Sequence, residues 1–135
     1  MKWTNRQFGE LEYEPRHEIV FPDGLIGFER NTRFLLVNDD SAKPFLWLVS
    51  LEDSDLCFPL IDPQMVRPGY AVTGAGPNAT VLNLVALRTP VEDSTVNLRS
   101  PVVIGKDPQV GRQLVLDSEQ FSFRQPLFSA AAVKG

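Results

Sequence analysis

Apolar and polar positions alternate in short bursts along the chain, and no apolar stripe recurs at helical spacing over the length of a helix. Leu11-Glu12-Tyr13-Glu14 alternates residue by residue, so one face of this segment should be buried and the other wet. With Trp3, Phe8 and Gly9 before it, the pattern predicts an opening hairpin over Trp3 to Tyr13, which Pro15 ends. A polar passage from Glu29 to Arg33, long enough for about one helical turn, leads to a strand over Phe34 to Val37. Asn38 to Lys43 reads as a loop, because its Asn, Asp and Ser side chains bond their own backbone in place of a ladder. Phe45-Leu46-Trp47-Leu48-Val49 is apolar throughout, which predicts a central strand buried on both faces or a strand of a closed barrel. After a connection at Leu51 to Asp55, Leu56 to Ile61 returns as a strand whose Pro59 must lie at solvent, an edge or a bulge.

The second half continues in the same manner. Pro68-Gly69 interrupts Gln64 to Val72, and Thr73 to Ala79, rich in Gly with one Pro, is a link. Val81 to Leu87 is a strong strand in which Asn83 must either bridge strands or face outward, since a buried amide needs partners. Thr95 to Leu98, Val102 to Ile104, Gln113 to Leu116 and Phe121 to Phe123 supply the remaining strands. Eight to ten short strands with Gly, Pro, Asp and Asn between them indicate a single all-β domain, a barrel or a sandwich, with at most one or two short helical turns.

Ile19 to Phe28 (I-V-F-P-D-G-L-I-G-F) is the most informative stretch. Ile19, Val20 and Phe21 suit a pleated, half-buried surface, and Pro22 presets φ for position i+1 of a turn over Pro22-Asp23-Gly24. Gly27 offers a second turn before Phe28.

Composition narrows the chemistry. A chain of 135 residues forms one domain that buries roughly two-thirds of its unfolded surface. The single cysteine, Cys57, forms no intrachain disulfide and reads as a small packed hydrophobe, which fits a reducing compartment. With no apolar leader and no run long enough to span a bilayer, the expected location is the cytoplasm, and no membrane partner is expected. A formal net charge of −4 and scattered basic residues argue against direct nucleic-acid binding and favour a basic protein partner. His17 is the only histidine and has no nucleophile motif beside it; one His and one Cys cannot make a nitrogen-sulfur metal site; and no phosphate-cradling glycine motif is present. No enzyme activity, cofactor or metal is therefore expected.

Several blocks resemble the FliW family. Phe8-Gly9-Glu10-Leu11-Glu12 followed by I-V-F-P-D-G-L-I-G-F is similar to its N-terminal signature. Pro44 to Asp53, Leu60 to Pro63, Leu82 to Ala86, Thr95 to Ile104 and Gly111 to Leu116 keep that likeness in order. The resemblance covers about Phe8 to Leu127 and implies a single small antiparallel β-barrel-like domain, FliW-like, over residues 1–127 with a C-terminal tail at 128–135. The family usually carries a longer acidic segment where this chain has Thr73 to Ala79. The resemblance further implies a flagellar assembly factor that binds flagellin and the RNA-binding regulator CsrA. Flagellin holds it while abundant; once flagellin is exported, the freed factor binds CsrA and relieves repression of flagellin translation.

A domain without catalytic equipment works through its surface, and tight turns lower the entropy cost of docking. We place Phe21, Pro22, Leu25 and Phe28 in or beneath the partner surface, with Trp47 and Asn97 as supports, and expect a monomer. A folded Leu25→Asp variant with unchanged partner affinity would remove this loop from the interface. The alternatives are a β-barrel that binds a small ligand, which needs a roomy pocket with convergent polar groups, and an interaction module with a different protein partner.

Overall fold

The computed structural model describes residues 1–128. β1 (Lys2–Asn5) and β2 (Gly9–Glu12) form the opening hairpin, with Trp3 opposite Leu11. Its turn is tied by Asn5 Oδ1, which accepts from the N–H groups of Gln7 and Phe8 at 2.9 and 3.1 Å. The main sheet contains β3 (Ile19–Val20), β4 (Arg33–Asn38), β5 (Leu46–Ser50), β6 (Cys57–Ile61), β7 (Thr80–Ala86), β8 (Thr95–Val96), β9 (Val102–Ile104), β10 (Gly111–Gln113) and β11 (Gln125–Pro126). Its path runs β10-β9-β7-β6-β5-β4-β3, while β8 branches from β7 and carries β11. All of these ladders are antiparallel.

The sheet curls without closing. Its two ends meet at one isolated parallel bridge between Val20 and Val110, with the Val20 N–H donating to the Gln109 carbonyl at 3.1 Å. The fold is thus an all-β domain with an open seam, and the barrel expected from the sequence is incomplete there. A surface groove of about 600 Å³ runs along the seam between Pro15 to Val20 and Lys106 to Val110.

Three apolar layers account for the burial pattern. The concave face holds Ile19, Phe21, Leu25, Phe34, Leu48, Leu60, Leu82, Val102 and Ile104, all 5% exposed or less, so side chains fill this interior. Outside β7, Ile61, Tyr70, Val85, Val96 and Leu98 form a second layer. Under the hairpin, Tyr13, Leu35 and Leu51 pack with Trp3, Leu11 and Val37. Strand β5 runs between neighbours β4 and β6, and its pleat sends Leu48 inward and Trp47 to the opposite face. Both faces are covered, which is why the run is apolar throughout.

Among the described residues four single 3₁₀ turns (Pro15–His17, Asp40–Ala42, Pro63–Met65, Val91–Asp93) lie in the connections, against the one or two expected. The passage from Glu29 to Arg33 is not helical: Asn31 N–H bonds the Phe28 carbonyl at 3.0 Å as a β-turn, and Arg33 already belongs to β4. Phe121 to Phe123 is not a strand either. The Phe121 ring packs on Tyr70 at 5.0 Å and under the Arg67 guanidinium at 4.8 Å; a single bond from Leu98 N–H to the Ser122 carbonyl at 3.0 Å precedes the ladder, which begins at β11. Strand β10 begins two residues earlier than expected and ends at Gln113. The β6–β7 ladder starts at Leu60, so Pro59 borders it. No helix among the described residues is long and apolar enough to cross a membrane. The expected tail at 128–135 lies, apart from Phe128, outside the described residues.

Candidate functional site

The segment from Phe21 to Thr32 is a closed loop of three consecutive turns. Phe21 N–H donates to the Thr32 carbonyl at 2.8 Å and closes its base. Within it, Gly24 N–H bonds the Phe21 carbonyl at 2.9 Å and Phe28 N–H bonds the Leu25 carbonyl at 2.8 Å. Pro22 stands at i+1 of the first turn, and Gly27 takes φ +89° in the second, a region where a Cβ would clash with its own backbone.

Anchors hold the loop on several sides. Phe21 and Leu25, 0% and 1% exposed, plug it into the concave core, where the Phe21 ring meets Phe34 edge-on at 5.2 Å. At the base, Glu52 Oε1 accepts from the N–H groups of Thr32 and Arg33 at 2.6 and 2.9 Å, and Ser50 Oγ donates to Asn31 Oδ1 at 2.6 Å. The bonds from Thr32 and Arg33, led by that from the Thr32 N–H, hold the Glu52 carboxyl below its ordinary range. Near the tip, Glu29 Oε2 accepts from Gly27 N–H at 2.8 Å, and Gln113 Oε1 from Ile26 N–H at 2.9 Å. Beside the loop, Glu18 pairs with Arg33 at 2.8 Å, a hydrogen bond that lowers the Glu18 carboxyl and raises the Arg33 guanidinium.

The tip itself is apolar and exposed. Ile26 is 57% and Phe28 41% accessible, and the Phe28 ring stands edge-on to Phe58 at 4.9 Å. Fixed turns presenting apolar side chains give a surface that loses little entropy on docking. Such a surface can bind a protein segment.

The sequence-derived residues divide accordingly. Phe28 and Pro22 are exposed on the loop, whereas Phe21 and Leu25 lie beneath it as anchors. Trp47 stands on the opposite face of β5, edge-on to Phe8 at 5.7 Å, and its indole N–H has no partner among the described residues. Asn97 is half-buried beside the outer layer; its Oδ1 accepts from the Arg99 and Ser100 N–H groups at 3.2 and 2.9 Å. Neither side chain hydrogen-bonds the tip. Asn83 bridges strands, donating from Nδ2 to the Asn97 carbonyl at 2.7 Å. His17 is exposed and uses Nδ1 to accept from Glu14 N–H at 3.0 Å, a capping role for its 3₁₀ turn. Cys57 Sγ donates to Gln7 Oε1 at 3.2 Å, and burial pushes its thiol up. Ile26 and Glu52 lie in loops that the sequence offers as contact features, Phe21 to Gly27 and Leu51 to Asp55, whereas Gln113 carries no local signal.

Comparison with known proteins gives a consistent family. The family model described as FliW protein matches residues 2–127. The flagellar assembly factor FliW of Natranaerobius thermophilus is 35% identical, over 99% of this chain and 97% of its own length. That of Leptospira interrogans serovar copenhageni is 33% identical, over 96% and 94%. A crystal structure of the flagellar assembly factor FliW superposes with a TM-score of 0.85 at 25% identity, covering 96% of this chain and 98% of that one. Nearly the whole chain shares both the sequence pattern and the fold of those flagellar assembly factors, and it belongs to the FliW family.

Proposed function

We propose that the chain is a non-enzymatic flagellar assembly factor of the cytoplasm, a protein-binding translational regulator and flagellin chaperone. It binds flagellin and antagonises CsrA, so that repression of flagellin translation is relieved when flagellin is scarce. Its docking surface is the Phe21 to Thr32 loop, with Ile26 and Phe28 making contact, Pro22 at the rim, and Phe21 and Leu25 holding the loop from beneath.

The observation that carries this reading is the apolar tip held by fixed turns over a filled core. A filled interior leaves the outer surface for binding. The net charge of −4 assists encounter with a basic RNA-binding protein more than it adds affinity. Calorimetry of the purified chain with flagellin and with CsrA from its host tests the proposal. Both should bind at micromolar or lower concentration, and flagellin should displace CsrA; binding of neither would overturn it.

A further inference from the structure

Gln113 lies in β10, yet its side chain serves two distant segments. Its Oε1 accepts from Ile26 N–H at 2.9 Å, and its Nε2 donates to the Ser100 carbonyl at 3.3 Å. These partners fix the amide's orientation, because exchanging O and N would oppose donor to donor and acceptor to acceptor. Ser100 N–H donates to Asn97 Oδ1 at 2.9 Å, and the Asn97 carbonyl accepts from Asn83 Nδ2 at 2.7 Å. Asn83 is 0% exposed and also donates to the Tyr70 hydroxyl at 3.3 Å. An unbroken path of hydrogen bonds therefore runs from the outer layer on β7 to the backbone of the exposed tip.

We propose that Gln113 is the positioning residue of the tip, and that through it the order of Ile26 and Gly27 depends on Asn97, which makes no hydrogen bond to the loop. The loop's own turns leave the Ile26 N–H without an acceptor inside the loop, and the alternative to Gln113 is water. Ser100 holds the other end of that amide, and Asn97 in turn caps the N–H of Ser100. Loss of the cap loosens Ser100, then Gln113, then the tip. Where the tip is the docking surface, as proposed above, the outer layer adjusts partner affinity without touching the partner.

Amide hydrogen exchange on the intact chain tests this, with Gly105 N–H, bonded to the Val110 carbonyl at 2.9 Å, as the control for the β9–β10 connection. Gln113→Met keeps the length but loses both bonds, and should speed Ile26 exchange by about fivefold, leaving Gly105 unchanged. Gln113→Glu keeps the acceptor and loses the donor that ties it to Ser100, so Ile26 exchange should rise by about twofold, as far as Asn97→Ala raises it and short of the Met variant. Asn97→Ala should speed Ile26 exchange by about twofold or more in the wild type and add nothing in the Gln113→Met or Gln113→Glu backgrounds. Asn97→Asp, which retains the acceptor, should leave Ile26 as in the wild type. The proposal is overturned if Met and Glu at 113 act alike, or if Asn97→Ala has no effect or the same effect in every background. Should Asn97→Ala not fold, the contrast between the Met and Glu variants decides. Titration of flagellin onto the same variants is a separate arm. Intact exchange results with no flagellin binding would remove the docking function and keep the coupling.

Discussion

The ring of Phe21 occupies the space where a side chain on Gly111 would begin: a Cβ built on Gly111 would lie 2.3 Å from Phe21 Cζ. The contact spans the open seam and seats the base of the loop against β10. Gly111→Ala should destabilise the domain by about 1–3 kcal/mol through overpacking, read from urea unfolding. Phe21→Leu in the Ala background should recover part of that loss, because the two changes share one space.

Replacement at the tip separates docking from folding. Ile26→Asp should leave stability within about 0.5 kcal/mol and weaken flagellin or CsrA binding by about tenfold or more. Phe28→Asp should act likewise, with a further small cost from the lost stacking on Phe58. Leu25→Asp is no test of the interface. Leu25 is 1% exposed, so a carboxylate there is buried in the apolar core and the variant reports unfolding. Circular dichroism beside calorimetry distinguishes the two outcomes.

The loop's base confers an acid sensitivity of known sign. Glu52 and Glu18 both titrate below their ordinary range in the folded chain, through the Thr32 N–H and the Arg33 guanidinium respectively. Their contribution is complete above the unfolded carboxylate value, about 4.3, and is lost as pH falls through the lower folded value. Both sites are partly hydrated, and the Glu18 pair is worth at most about 1 kcal/mol. Unfolding midpoints of Glu52→Gln should fall less steeply than those of the wild type below about pH 4.5, and the two curves should differ most at neutral pH.

Cys57 should behave as a packed thiol. Burial raises its pKa, so the thiolate fraction at neutral pH is smaller than for a free cysteine. Iodoacetamide should label it more slowly than glutathione at pH 8 in the folded chain, and at an ordinary rate in denaturant.

Local pattern explains what the sequence disclosed. The hairpin, the Pro22-Asp23-Gly24 turn and the two-sided burial of β5 each follow from a few adjacent residues. Phe121 to Phe123 misleads for the same reason: alternating aromatics resemble a strand, but here Phe121 serves Tyr70 and Arg67, while the actual strand is Gln125-Pro126, a pair with poor strand propensity. Within the site, Phe28 could be found because it belongs to the turn motif. Gln113 could not, since its bond to Ile26 joins residues 87 apart and no short-range pattern records such a contact. The bond between Thr32 and Glu52 spans 20 residues and is equally silent.

The seam joins Val20 to Val110, so the first quarter of the chain waits for the last before its loop has a wall to lean on. A polypeptide still emerging from the ribosome, with residues beyond 110 unmade, offers Phe21 no glycine to rest against and Ile26 no amide to hold it. The surface that would meet a partner is thus completed only when β10 is made, although its own turns and its anchors on Ser50 and Glu52 come earlier in the chain.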